Sequence, residues 1–204
     1  MDFGDSPARD HAVFWLLWQQ LATNPPGALA AYPAFRAHNR DSTLARRLRK
    51  AITTIEARPR IQPGQLAPVF SLVDAAGHPV SLSDFRGKVI YLDFWGTWCA
   101  PCLAEMPTSE ALRQHFAGRE VAFVYISVND TQAKWHQMLM NRHLDTFRAV
   151  QLWSSTVGTA QAYSVPEYPC YYLIGRDGRF VTIHPPRPSN SKEAIAAIEQ
   201  ALAR

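Results

Sequence analysis

Cysteine is scarce in this sequence, with three in 204 residues. Three cannot all pair within one chain, so a fold stapled by disulfides is excluded. Long apolar runs are missing as well. Ala12 to Trp18 is a short apolar run, far below the length of a membrane span. Asp2 and Asp5 stand where a secretory leader carries positive charge, so no such leader is expected here. Neither sign of charge dominates: 21 Lys and Arg against 17 Asp and Glu leave a net +4. No basic-aromatic interleaving accompanies that excess, so nucleic-acid binding is not expected. Internal repeats and low-complexity tracts are absent too. What is there, 47% apolar and 11% aromatic residues, fits a globular chain with a substantial core.

The most informative stretch runs from Val89 to Cys102. Val89-Ile90-Tyr91-Leu92-Asp93-Phe94 reads as a buried strand, broken only by Asp93. Gly96 and Thr97 interrupt it, and Trp98-Cys99-Ala100-Pro101-Cys102 follows at the start of a helical pattern that lasts to Phe116. A strand that delivers Cys-x-x-Cys to a helix N-terminus has a redox rationale. Unpaired N–H groups and the helix dipole favour thiolate over thiol, and the thiolate attacks disulfides. The competing readings are a structural disulfide or half of a zinc site. Zinc needs two more ligands, and Cys170 and the scattered histidines offer no second pair at ligand spacing. His136 and His143 read as surface or packing residues. No metal and no cofactor is expected.

Three features together resemble the thioredoxin superfamily, in particular the envelope thiol-disulfide oxidoreductases of the TlpA/ResA-like redoxin branch. They are Trp98-Cys99-Ala100-Pro101-Cys102, the pair Tyr168-Pro169, and the segment Ala67-Pro68-Val69-Phe70-Ser71-Leu72 followed by Val80 to Lys88. The resemblance covers about Leu66 to Arg204. It implies a thioredoxin-like α/β fold, with a mixed central sheet flanked by helices, preceded by an N-terminal helical extension. The organisation expected is a helical extension over 1–58, a linker over 59–65 and a redox domain over 66–204. The implied activity is exchange of a dithiol and a disulfide with protein substrates, supplied by an upstream electron donor. The implied place is the cell envelope or periplasm; the residues themselves leave the cytoplasm open.

Along the chain, helices are expected over about 13–21, 28–37 and 41–57, with Asn24-Pro25-Pro26-Gly27 ending the first. Val13, Phe14, Leu16, Leu17 and Leu21 are expected to form the apolar stripe of the first helix, with Trp15 and Trp18 widening it. The third carries Arg46, Arg47, Arg49 and Lys50 on a solvated face, with docking on an acidic partner or membrane surface as the alternative. Strands are expected over 69–73, 80–82, 88–94, 121–128, 148–152, 170–174 and 179–183. Helices are expected over 99–116, kinked at Pro107, and over 131–142, 156–163 and 190–203. Asp177-Gly178 reads as a two-residue hairpin connection.

The resemblance assigns roles. Cys99 is the expected nucleophile and Cys102 the resolving thiol. Asp93 is the implied proton acceptor for Cys102; the alternative is a carboxylate at a strand edge, paired with Lys88 or an arginine. Glu105 matches the acid of the family's Trp-Cys-x-x-Cys-x-x-Glu-x-Pro signature, through Pro107. It is expected to tune the thiols, although an acid there also suits the helix dipole. Two acids near the sulfurs resist thiolate formation, which points to a reductant. Pro169 is expected to be cis, and the Tyr168 backbone to pair with extended substrate. Trp98 and Pro101 complete the expected substrate surface, and Trp95 is expected in the core. Cys170 stands where the family commonly has threonine, as an inert core thiol or a third redox partner. The competing functions are a thiol peroxidase, which shares the opening segment, and a non-enzymatic redox-sensing module.

Overall fold

The computed structural model describes residues 6–144 and 149–204 and divides the chain into two compact units, Met1–Arg58 and Pro59–Arg204.

The first unit is built from α1 (Pro7–Thr23), α2 (Pro25–His38) and α3 (Ser42–Glu56). Capping explains each start. Ser6 accepts from the Arg9 N–H, Asn24 from the Gly27 N–H, and Asp41 from the Thr43 and Leu44 N–H groups. The prolines expected to end the first helix begin the second. Their missing N–H groups cost nothing in a first turn. Phe14, Leu17, Leu21, Ala28, Phe35, Leu44, Leu48 and Ile52 form the core. Buried Asp10 accepts from the Arg40 N–H at 2.8 Å and from the Arg9 guanidinium at 3.1 Å. Trp15, Leu16 and Trp18 depart from expectation, since all three are exposed. The buried arc follows Asp10, Phe14, Leu17 and Leu21, and Trp15 and Leu16 fall outside it.

The second unit is a seven-stranded mixed sheet in the order β2-β1-β5-β4-β3-β6-β7. Its strands are β1 (Ser71–Asp74), β2 (Pro79–Ser81), β3 (Val89–Trp95), β4 (Val121–Ser127), β5 (Ala149–Trp153), β6 (Cys170–Ile174) and β7 (Phe180–Thr182). The start expected at Arg148 lies outside the described residues. β3, β4 and β5 are parallel; β6 runs antiparallel to β3. α4 (Ala100–His115), α5 (Gln132–Arg142) and α7 (Ser191–Leu202) supply one apolar cluster with one face of β3. The short α6 (Gly158–Ala162), a 3-10 turn at Leu82–Phe85 and the segment around Phe70 supply the other. α4 runs through Pro107 without a break.

Residues 59–65 lack regular structure, but they are fastened to the second unit. The Gly64 N–H donates to the Phe180 carbonyl at 2.8 Å, and Arg179 donates to the Gly64 carbonyl at 2.9 Å. The hairpin loop between the bonded pair Gly175 and Arg179 holds three residues rather than two. The Gly175 N–H donates to Arg179 and the Gly178 N–H to Gly175, with Gly178 at φ +77°. A turn followed by a left-handed residue is the usual three-residue hairpin loop, and glycine takes that conformation without a Cβ clash.

Candidate active site

β3 is central, with β4 and β6 on either side, so every residue from Val89 to Trp95 is buried. Alternation sends Ile90, Leu92 and Phe94 into one cluster, and Val89, Tyr91 and Trp95 into the cluster that holds Cys99 and Cys102. Asp93 shares this second face.

Beyond β3 the chain turns at Gly96. A Cβ there would lie 2.5 Å from the Trp98 indole nitrogen, so only glycine lets the indole fold back over the turn. That nitrogen donates to the Val128 carbonyl at 3.3 Å, and the ring meets Tyr168 edge-on with centroids 5.3 Å apart. Cys99 then caps α4. Its sulfur accepts from the Cys102 N–H at 3.2 Å, and Ala100 and Pro101 open the helix. The two sulfurs are bonded at 2.00 Å. The Tyr168–Pro169 peptide is cis. Tyr168 packs against the cluster that contains both sulfurs.

The sulfur pair is more enclosed than an open helix end suggests. Cys99 keeps 4% of its surface and Cys102 1%. Trp98, the residue before Cys99, is exposed, and Trp95 is core, as expected.

Asp93 lies opposite Tyr125 of β4 and Tyr171 of β6. It is not at a sheet edge, and among the described residues no cation pairs with it, so the alternative of an edge ion pair fails. Its Oδ1 has no hydrogen-bond partner among the described residues. Burial first, then the negative charge of Glu105, hold its carboxyl well above the usual carboxylate range. Glu105, half-buried, accepts from the Ser189 N–H at 2.9 Å and the Ser189 hydroxyl at 2.8 Å. It therefore ties α4 to the segment before α7 as well as acting on Asp93.

Cys170 faces the other cluster, across the sheet from the disulfide. Its thiol donates to the Tyr172 hydroxyl at 3.4 Å, and burial pushes it up to about 11. Its placement fits an inert core thiol and not a third redox partner. Among the described residues no group of three or more His, Cys, Asp and Glu side chains could hold a metal ion. His143 ends α5 in the left-handed conformation, and His136 lies against the ring of Trp135.

Sequence reasoning missed two groups here. Buried Arg113 on α4 donates to the Tyr125 hydroxyl at 2.7 Å, which donates to Ser109 at 3.2 Å. Asp130, just past β4, accepts from the Thr97 N–H and hydroxyl at 2.8 and 2.6 Å, and from the Ser127 hydroxyl at 2.6 Å. The only local signal for Asp130 was the turn composition of Asn129-Asp130-Thr131.

Comparison with known proteins agrees with this geometry. The AhpC/TSA family matches residues 63–183. Thioredoxin-like protein YneN of Bacillus subtilis is 35% identical over 125 residues, covering 61% of this chain and 72% of that protein. Thiol-disulfide oxidoreductase ResA of Bacillus cereus is 32% identical over 122 residues, covering 60% and 69%. A crystal structure described as a thiol-disulfide oxidoreductase of Bacteroides vulgatus superposes with a TM-score of 0.62 at 34% identity, over 68% of this chain and 96% of that one. A structure described as the thiol:disulfide interchange protein DsbE of Chlorobium tepidum gives 0.62 at 26% identity, over 70% and 99%.

Proposed function

The chain belongs to the AhpC/TSA family and is a thioredoxin-like thiol-disulfide oxidoreductase; we propose that it reduces disulfides in protein substrates through Cys99 and Cys102. The observation that carries this reading is the Cys99–Cys102 disulfide at the start of α4, in the cluster against which Tyr168, of the cis peptide, packs.

In the reduced protein, Cys99 is the thiolate that attacks. A bond forms between its sulfur and one substrate sulfur, the substrate disulfide breaks, and the other substrate sulfur leaves and takes a proton. Cys102 then loses its proton, with Asp93 as acceptor, and attacks the Cys99 sulfur. The Cys99–Cys102 bond forms and the second substrate thiolate leaves. Two electrons have passed to the substrate, and an upstream dithiol donor must restore the pair. Trp98, Pro101, Tyr168 and Pro169 form the surface against which an extended substrate segment lies. The charge of Glu105, joined by that of Asp93 once it ionises, favours thiols over thiolates, which supports the reducing direction. Action in the cell envelope belongs to the same proposal. Among the described residues no helix is long and apolar enough to cross a membrane.

Trapping tests the reading. Cys102→Ser should accumulate mixed disulfides through Cys99, which mass spectrometry identifies, while Cys99→Ser should accumulate none. Equal trapping by both variants would reverse the roles. Consumption of peroxide as fast as disulfide would favour a thiol peroxidase instead.

A further inference from the structure

Where β3, β4 and β5 end side by side, one residue is bonded to all three. The Asp130 carboxylate accepts from Thr97, just beyond β3, through both its N–H and its hydroxyl. The same carboxylate accepts from the hydroxyl of Ser127, the last residue of β4. Its backbone carbonyl accepts from the indole of Trp153, the last residue of β5, at 3.0 Å. Parallel strands of α/β sheets place their ligands beyond these carboxyl ends. Thr97 lies between Gly96, over which Trp98 folds, and Trp98 itself, whose ring meets Tyr168. Cys99 follows, and its N–H donates back to the Gly96 carbonyl at 3.0 Å.

We propose that Asp130 is the positioning residue of the redox site, holding the Gly96–Trp98 turn so that Trp98 stands against Tyr168 and Cys99 sits at the cap of α4. This rests on the disulfide-exchange reading above. Asp130 touches no reacting atom. Its action runs through Thr97 to the surface that receives substrate. Two donors converge on Oδ2 and one on Oδ1. An asparagine can reproduce that pattern. Its oxygen serves the Thr97 N–H and the Ser127 hydroxyl, and its amide donates to a rotated Thr97 hydroxyl. An alanine cannot, and it leaves three donors without an acceptor.

The test uses the full chain, with an insulin-type protein disulfide and dithiothreitol as donor. Asp130→Ala should lose about tenfold in kcat/KM, carried mainly by KM, because the platform for substrate loosens before the chemistry does. The pH profile of Cys99 alkylation in the reduced protein should move as well. Asp130→Asn should stay within about threefold of the parent, since a neutral amide keeps the geometry. Thr97→Val removes the hydroxyl bond and keeps the backbone one; it should raise KM by about threefold, and it stands in if Asp130→Ala does not fold. The proposal is overturned if Asp130→Ala or Thr97→Val keeps the parent KM and alkylation profile while only its melting temperature falls. It is equally overturned if Asp130→Asn is as impaired as Asp130→Ala, because charge and not geometry would then be acting. Failure of the disulfide-exchange reading looks different, since the parent itself would then neither reduce the substrate nor form mixed disulfides.

Discussion

Replacing Asp93 by asparagine should stabilise the oxidised protein, and by an amount that grows with pH. The unfolded chain releases the Asp93 proton near the ordinary value of 3.8. The folded protein holds it to higher pH, because the group is buried and faces the charge of Glu105. Between those two points the folded state carries one more proton than the unfolded state. Stability therefore falls as pH rises, by about 1.4 kcal/mol per pH unit, until Asp93 ionises in place. Asparagine has almost the same volume and no such proton. Other titrating groups are common to both proteins and cancel in the difference. For a chain of this size the melting temperatures of variant and parent should separate by about 3–6 °C per pH unit above pH ~4, then run parallel. Thermal unfolding of both proteins in half-unit steps from pH 4 to 8 measures this. Curves that stay parallel throughout would mean that Asp93 ionises as if exposed, and the proton-acceptor role would lose its physical basis. In turnover the same variant should accumulate the mixed disulfide, since loss of a general base slows the Cys102 step by about 100-fold or more.

Glu105→Gln should act at two places. One oxygen replaces two at Ser189, and the charge is gone, so stability should fall by about 0.5–1.5 kcal/mol in thermal unfolding. The negative charge that raises Asp93 disappears as well, so the parallel stretch of the Asp93 curves should begin at lower pH in this background. Cys170, held up to about 11 by burial, should resist iodoacetamide at pH 8 in the folded protein and react fully once unfolded, as read by intact mass. Rapid labelling of the native chain would contradict the placement of that thiol.

Much of the redox unit was legible because its signals are local. An apolar β-branched run, a Cys-x-x-Cys pair and an X-Pro peptide each carry their meaning within a few residues. The resemblance then supplied the long-range partner, Tyr168–Pro169, which no local pattern could bring to Cys99. The errors fall where partners decide. Trp15, Leu16 and Trp18 look like core by hydrophobicity alone. Which arc of α1 is buried depends on where α2 and α3 lie, and that information is not in the α1 segment. Pro25 and Pro26 signal a boundary but not its direction, since proline ends one helix as readily as it opens the next. Asp130 and Arg113 were invisible for the same reason. Their bonds reach Thr97, 33 positions away, and Tyr125, 12 positions away.

The sheet is also a wall between sulfurs. Cys170 sits on the far side of β3 and β6 from the reactive pair, and a strand register would have to break for it to reach them. On the proposed mechanism, a captured partner thus has a single intramolecular exit, through Cys102. The third sulfur can neither rescue a stalled conjugate nor divert it into a wrong pairing. Repeated cycles of oxidation should therefore leave the connectivity of this protein unscrambled.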